Sequence, residues 1–187
     1  MTIVRMAGYL LLILYLCYLT VVLAQDYQTG MQSGHLPFTV WVIDTIDLFI
    51  HEAGHFIFGI FGRFVEILGG SLFQVLIPLA TVWVFARANL KSLPFTLYWT
   101  GQSLVNVSVY IGDAPYQRLH LISRTAIHDW HWIFNTLGMM DSAEDVSSIV
   151  FGAGILVCAA GIGAGLYFEG RDYYRRSAPP AGGPASR

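Results

Sequence analysis

The chain has 187 residues, of which 55% are hydrophobic and only 12% are charged, and its formal net charge is -2. The positive mean hydropathy of +0.57 indicates a membrane protein. The length suits one compact bundle of helices, and the lack of a basic run argues against a nucleic-acid-binding protein.

Five apolar stretches are long enough to cross a bilayer, which takes about 20 helical residues. They cover residues 6–24, 40–61, 67–86, 94–112 and 147–168. The first is longer than the apolar core of a signal peptide and lacks a small-residue cleavage pattern, so we expect it to remain as an anchor. The sequence therefore predicts an all-α, multi-pass transmembrane bundle of about five spans, integral to the cell membrane.

The loop between the fourth and fifth spans, residues 113–146, contains the segment "HDWHWIFNTLGMM". Its alternating tryptophans predict a short amphipathic helix at the membrane surface, before the last span. We expect residues 1–176 to form a single transmembrane domain. Residues 177–187, rich in proline, alanine and glycine, are predicted to form a disordered tail.

The second span contains His51-Glu52-Ala53-Gly54-His55, which is the HExxH pattern. Residues four apart face the same side of a helix, so the two imidazoles can bind one zinc ion. Glu52 is offset from them and can hold the attacking water, acting as general base and then as general acid. Ionisable groups inside a membrane span are costly and therefore point to function.

Two aspartates lie on the same helical stripe as these histidines. Asp44 and Asp47 project within the arc that also includes His51 and His55. Asp47 is four residues before His51, so we expect it to accept a hydrogen bond from the ring nitrogen that does not bind zinc. The alternative is that both aspartates are hydrated at the membrane boundary.

A catalytic zinc usually takes three protein ligands and one water, so a third ligand is needed. On the fourth span Gln102, Asn106 and Asp113 form a second polar stripe. Asp113 is one candidate for the third ligand, and Asn106 is a candidate for binding the substrate backbone or an oxyanion. The loop offers His128 as an alternative ligand, and Asp113 can also be read as a hydrated loop residue.

These residues resemble the site-two proteases, membrane zinc metallopeptidases that cut transmembrane segments within the bilayer. The resemblance covers about residues 46–114 and depends on "HEAGH", on the glycine-marked link "FGRFVEILGG" and on "NVSVYIGDA" two spans later. It implies a zinc ion bound by His51, His55 and Asp113. It also implies that Glu52 is the acid and base and that Asn106 helps to hold the substrate strand. The last stretch differs from the family's pattern in lacking proline and in having alanine after the aspartate.

The sequence thus predicts a membrane-embedded zinc metallopeptidase that hydrolyses peptide bonds of membrane-associated proteins. Its expected partners are the lipid bilayer and a membrane protein or peptide substrate. The alternative is a catalytically silent relative that serves as a structural or assembly subunit of a larger membrane complex. A haem site is disfavoured, because two histidines four residues apart on one helix cannot bind opposite faces of one ring.

Overall fold

The computed structural model describes residues 2–119 and 127–177, and in these ranges the chain is helical without any β-strand. This confirms the all-α prediction. Seven α-helices follow one another: α1 Thr2–Gln25, α2 Tyr27–Ser33, α3 Phe38–Phe58, α4 Arg63–Ala88, α5 Leu93–Asp113, α6 Asp129–Leu137 and α7 Ala143–Ser177. Short 3-10 turns join some of them: Gly59–Phe61, Leu90–Ser92 and Met140–Ser142.

Three of the described helices are long and apolar enough to cross a membrane, namely α1, α4 and α7 with the turn before it. Helices α3 and α5 coincide with the second and fourth predicted spans and have 21 residues each. Both contain several polar side chains, among them Asp44, Asp47 and Glu52 on α3. The structure therefore supports membrane-spanning helices, and the count of five spans stays a prediction.

Local sequence signals explain where several helices begin and end. Pro37 directly precedes α3, and Pro94 lies in the first turn of α5, where its missing N–H costs no hydrogen bond. Gly138 ends α6 in the left-handed conformation. Gly62 has a φ of +96°, which only glycine adopts readily, and it turns the chain from α3 into α4.

The structure adds one helix to the predicted elements. Helix α2 lies in the polar segment between the first two spans, where no helix was predicted. Helix α6 forms within the segment predicted to be a short amphipathic helix. The predicted disordered tail lies outside the described residues, except for Ser177, with which α7 ends.

Helix α5 lies in the interior of the bundle. Most of its side chains are buried, and it packs against α7, α4 and α1. The main core contains residues of five helices: Ile13, Leu16, Leu19, Leu23, Tyr27, Val40, Tyr98, Val105, Val109 and Cys158. A second core joins the end of α5 to α6 and α7: Val107, Ile111, Ala114, Phe134 and Ala143. The interior position of α5 explains its polar residues, because they face protein.

Helices α3 and α4 form a closely packed pair. A methyl group at Gly54 would clash with the backbone oxygen of Gly69, so the two helices approach with glycine facing glycine. Gly54 is itself the fourth residue of the HExxH pattern. It brings the backbone of α4 directly against the two imidazoles.

Candidate metal centre

Three potential metal ligands converge where α3 and α4 meet the start of α6. His51 and His55 lie one turn apart on α3, with ring centroids 4.7 Å apart. The Oδ2 atom of Asp129 lies 2.9 Å from Nε2 of His51 and 3.1 Å from Nε2 of His55. The three ligand atoms all lie within 4.8 Å of one another.

The spacing of these atoms suits a small divalent cation. Tetrahedral zinc with bonds of about 2.0–2.2 Å holds its ligand atoms roughly 3.3 Å apart. The two distances from Asp129 are a few tenths of an ångström shorter than this separation. A small outward movement of the carboxylate would therefore make room for the ion. Two imidazoles and one carboxylate are also a set that catalytic zinc uses, with a fourth position left for water.

The hydrogen bonds of the two rings provide an independent test of this fit. Nδ1 of His55 lies 2.9 Å from the backbone oxygen of Glu66, and Nδ1 of His51 lies 3.1 Å from Oε1 of Gln74. Both partners are acceptors, so both Nδ1 atoms carry a proton. Each Nε2 atom also faces an acceptor, the carboxylate of Asp129. Because a neutral imidazole donates from only one nitrogen, two neutral rings beside an ionised carboxylate leave acceptors facing each other, whereas one cation bound between the rings and the carboxylate satisfies all three groups.

The tautomer of His51 is fixed by a chain of side chains that ends on a carboxylate. The hydroxyl of Tyr27 donates to Asp44 at 3.0 Å and therefore accepts from Nδ2 of Asn106 at 2.6 Å. Oδ1 of Asn106 accepts from Nε2 of Gln74 at 2.8 Å, which turns Oε1 of Gln74 toward His51. With the Tyr27 hydroxyl donating to Asp44, each later bond of this chain has a defined donor and acceptor. Nε2 of His51 is therefore the nitrogen that is free to bind a metal ion. Hydrogen-bond partners on the other ring nitrogen, as here, raise metal affinity.

Asp129 is positioned by the docking of α6 on α4 and α5. The indole N–H of Trp130 donates to the hydroxyl of Ser71 at 3.0 Å, and the ring packs 5.7 Å from that of Phe134. Nδ1 of His131 donates to the backbone oxygen of Ala114 at 2.8 Å. Burial raises the pKa of Asp129, but the interactions with His51 and His55 outweigh this effect and hold the pKa below the ordinary range. The carboxylate is therefore ionised at neutral pH.

Gly70 on α4 keeps the space beside the imidazoles open. A methyl group on this residue would lie 2.6 Å from Nε2 of His51 and 2.6 Å from Nε2 of His55. These are the nitrogens that face Asp129, so any side chain at this position would occupy the place of a shared cation. The glycine is therefore required by the site and not by a turn, since it lies inside α4.

Replacing Gly70 by alanine tests this reading. Within a helix the change stabilises by about 1 kcal/mol where there is room, yet here the methyl group must displace the rings. We expect zinc affinity to fall at least about tenfold, the lower end of the effect of disturbed ligand orientation. Gly152→Ala on α7 is the matched control, because its added methyl group meets nothing within 4 Å. Competition with a chromogenic chelator measures both, and equal zinc affinities would contradict the reading.

The three ligands and Glu52 line one cavity of about 610 Å³. Glu52 is exposed and lines this cavity. It forms no hydrogen bond or ion pair with any residue that the structure describes. Its carboxylate is therefore available to a water molecule or substrate inside the cavity. This is the arrangement that the HExxH pattern predicts for the acid and base.

The predicted third ligand, Asp113, has other partners in the structure. The carboxylate of Asp113 accepts hydrogen bonds from the backbone N–H groups of Arg118 at 3.0 Å and Leu119 at 2.9 Å. It closes the turn after α5 and is not in the group of residues that could hold a metal ion, which contains Asp129 instead. His128, the alternative ligand, lines the cavity next to Asp129 but is not part of the group either.

Two further residues have other partners than those predicted. Asp47 is fully buried and accepts from the indole of Trp99 at 2.8 Å and from the hydroxyl of Ser103 at 2.7 Å. The role expected of it at Nδ1 of His51 is taken by Gln74. Asn106 lines the cavity, but its amide is engaged behind the imidazole as described above.

Sequence reasoning missed Asp129, Gln74 and Gly70 as site residues. Gln74 is a lone amide inside an otherwise apolar span, which is a signal of a buried polar contact. Asp129 lies between two histidines in the polar loop, where a histidine and not the aspartate was considered as a ligand. Gly70 appeared only as the last residue of the glycine-marked link, whereas it lies within helix α4.

No family model, curated protein or solved structure matches this chain. The resemblance to site-two proteases therefore depends on the residues and their geometry alone. The two histidines that this resemblance implies as ligands lie together. The aspartate beside them, however, comes from a different segment than the aspartate that the resemblance implies.

Proposed function

We propose that this protein is a membrane-embedded zinc metallopeptidase, similar to the site-two proteases, that hydrolyses peptide bonds of membrane-associated proteins. One observation carries the proposal. Two imidazoles and a carboxylate converge on one point, and each imidazole faces acceptors with both of its nitrogens. A divalent cation satisfies all of these atoms, and Glu52 opens into the same cavity.

Different residues of this chain would bind the zinc ion and transfer the proton. His51, His55 and Asp129 would hold the zinc ion, which when bound supplies a water that ionises near neutral pH and a Lewis acid for the substrate carbonyl. Glu52 takes the proton from the attacking water as the new C–O bond forms. It then delivers this proton to the leaving nitrogen as the C–N bond breaks, so that a carboxylate and an amine are released.

The two faces of α3 support a location inside the bilayer. Its ligand-bearing face lines the cavity, while its opposite face exposes large apolar side chains, with Phe49 68% and Phe56 88% exposed. Water-soluble helices show the reverse pattern, with the polar face outside. Together with the three long apolar helices, this favours a five-span bundle in which lipid contacts the outer face of α3 and water reaches the site through the cavity.

A transmembrane substrate must lose part of its helix before it can react, because helical peptide groups are already hydrogen-bonded to one another. We therefore infer that the protein acts where a membrane helix ends or has been locally unwound. The cavity provides hydrogen-bonding side chains for such an exposed backbone.

The proposal is tested with the full chain, purified in detergent and loaded with zinc. It is incubated with proteins that contain single transmembrane segments, and products are identified by mass spectrometry. We expect cleavage that a chelator abolishes and added zinc restores. Zinc binding without any cleavage, together with copurification of fixed partner proteins, would favour the structural-subunit alternative.

A further inference from the structure

The cavity that contains the candidate metal centre continues far beyond it along α3. Its wall includes one face of this helix over four turns: Trp41, Asp44, Thr45, Leu48, His51, Glu52 and His55. Trp41 and His55 are 14 residues apart, which corresponds to about 21 Å along an α-helix. An extended peptide rises about 3.3 Å per residue. The wall therefore matches a segment of about six residues.

The metal centre lies near one end of this wall. Beyond His55 the cavity is bounded by Arg63 and Glu66, whose side chains form an ion pair at 2.9 Å. In the other direction it extends past Asp44 to the beginning of α3. A bound segment thus has most of its residues on one side of the metal centre.

The distant end of the cavity has several large apolar side chains beside Asp44 and Thr45. Its apolar side chains come from α2, from the segment after it and from α3: Met31, Leu36, Trp41 and Leu48. Helix α2 closes this end, and Gly30 lies so near Leu36 that a methyl group on it would come within 2.6 Å of that side chain. We call these four side chains the far apolar subsite.

We propose that the far apolar subsite binds a large apolar side chain of the substrate, about four residues from the bond that is cut. The proposal assumes the peptidase function and specifies its substrate as an unwound segment of about six residues. The middle of the subsite lies near residue 44, about nine residues along α3 from the centre of the two histidines. That is about 13 Å along the helix axis, or four extended residues.

Alanine-based peptide hydroxamates test this proposal, because the hydroxamate binds zinc and fixes one end of the probe. Two series carry the hydroxamate at the carboxyl or at the amino end, and a single leucine is moved along six positions. The protein is the zinc-loaded full chain with Glu52→Gln, so that the probes are not cut. We expect one series to bind about tenfold more tightly when leucine is near the fourth position, the gain of burying one such side chain.

Trp41→Ala should remove this gain and leave the affinity of a one-residue hydroxamate unchanged. Trp83→Ala is the matched control, because Trp83 is also an exposed tryptophan but does not line the cavity. Binding that does not depend on the leucine position in either series would overturn the subsite. A parallel cleavage assay of the wild type separates the two claims. Cleavage without positional preference overturns the subsite alone, whereas positional preference without cleavage supports the subsite and counts against the peptidase.

Discussion

Glu52→Gln is expected to lower the rate of peptide hydrolysis by about 10²- to 10⁴-fold, the range over which a positioned general base contributes. Glutamine keeps the size and the polarity of the side chain but cannot take a proton from water. Glu52 does not belong to the metal-binding group. We therefore expect the variant to bind one zinc ion per chain with unchanged affinity.

The measurement pairs initial rates on a cleavable segment with zinc content determined by mass spectrometry. Glu144→Gln provides the matched control, because Glu144 is an exposed glutamate at the start of α7 and does not line the cavity. Its rate should equal that of the wild type. If the Glu52→Gln variant remains active, Glu52 is not the general base. If the variant loses zinc, Glu52 is a zinc ligand.

Asp129→Ala is expected to lower zinc affinity at least about 100-fold, because loss of an outer partner alone costs 10- to 100-fold and this residue faces the ion directly. Asp113→Ala should leave zinc affinity unchanged. It removes the acceptor of two backbone N–H groups after α5, so its effect should be a loss of stability of about 1–3 kcal/mol.

Zinc competition and thermal unfolding of the two variants distinguish these roles. The same pair of measurements on His128→Ala tests the other predicted ligand, which we expect to be dispensable for zinc. If Asp113→Ala or His128→Ala loses zinc while Asp129→Ala keeps it, the metal centre is not the one formed in the structure.

The positions of the helices could be predicted because they depend on local properties of the sequence. Long apolar runs mark the spans, and the segment before the last span forms a helix where its pattern indicates one. The HExxH spacing places both histidines on one face of α3, and the structure brings their Nε2 atoms to one carboxylate oxygen. Helix α2 was missed, because its seven residues, "YQTGMQS", have no apolar periodicity.

The identity of the third ligand could not be predicted in the same way. Asp129 is 78 residues from His51 along the chain, and it reaches the site only because Trp130 and Phe134 dock α6 onto α4 and α5. From the sequence, Asp113 was named as the candidate and Asp129 was not considered. The difference arises because the chain folds back after α5 and supplies two backbone donors to its carboxylate. Such competition between partners is decided by tertiary structure.

X-ray absorption spectroscopy of the zinc-loaded wild type examines the metal centre itself, because it reports the number and type of ligand atoms. We predict one zinc ion per chain, bound to two imidazole nitrogens and to oxygen atoms at about 2.0–2.2 Å. Asp129→Ala should change the oxygen contribution and keep both imidazoles. A chain that binds no zinc, or one whose zinc has fewer than two imidazole ligands, would contradict the account.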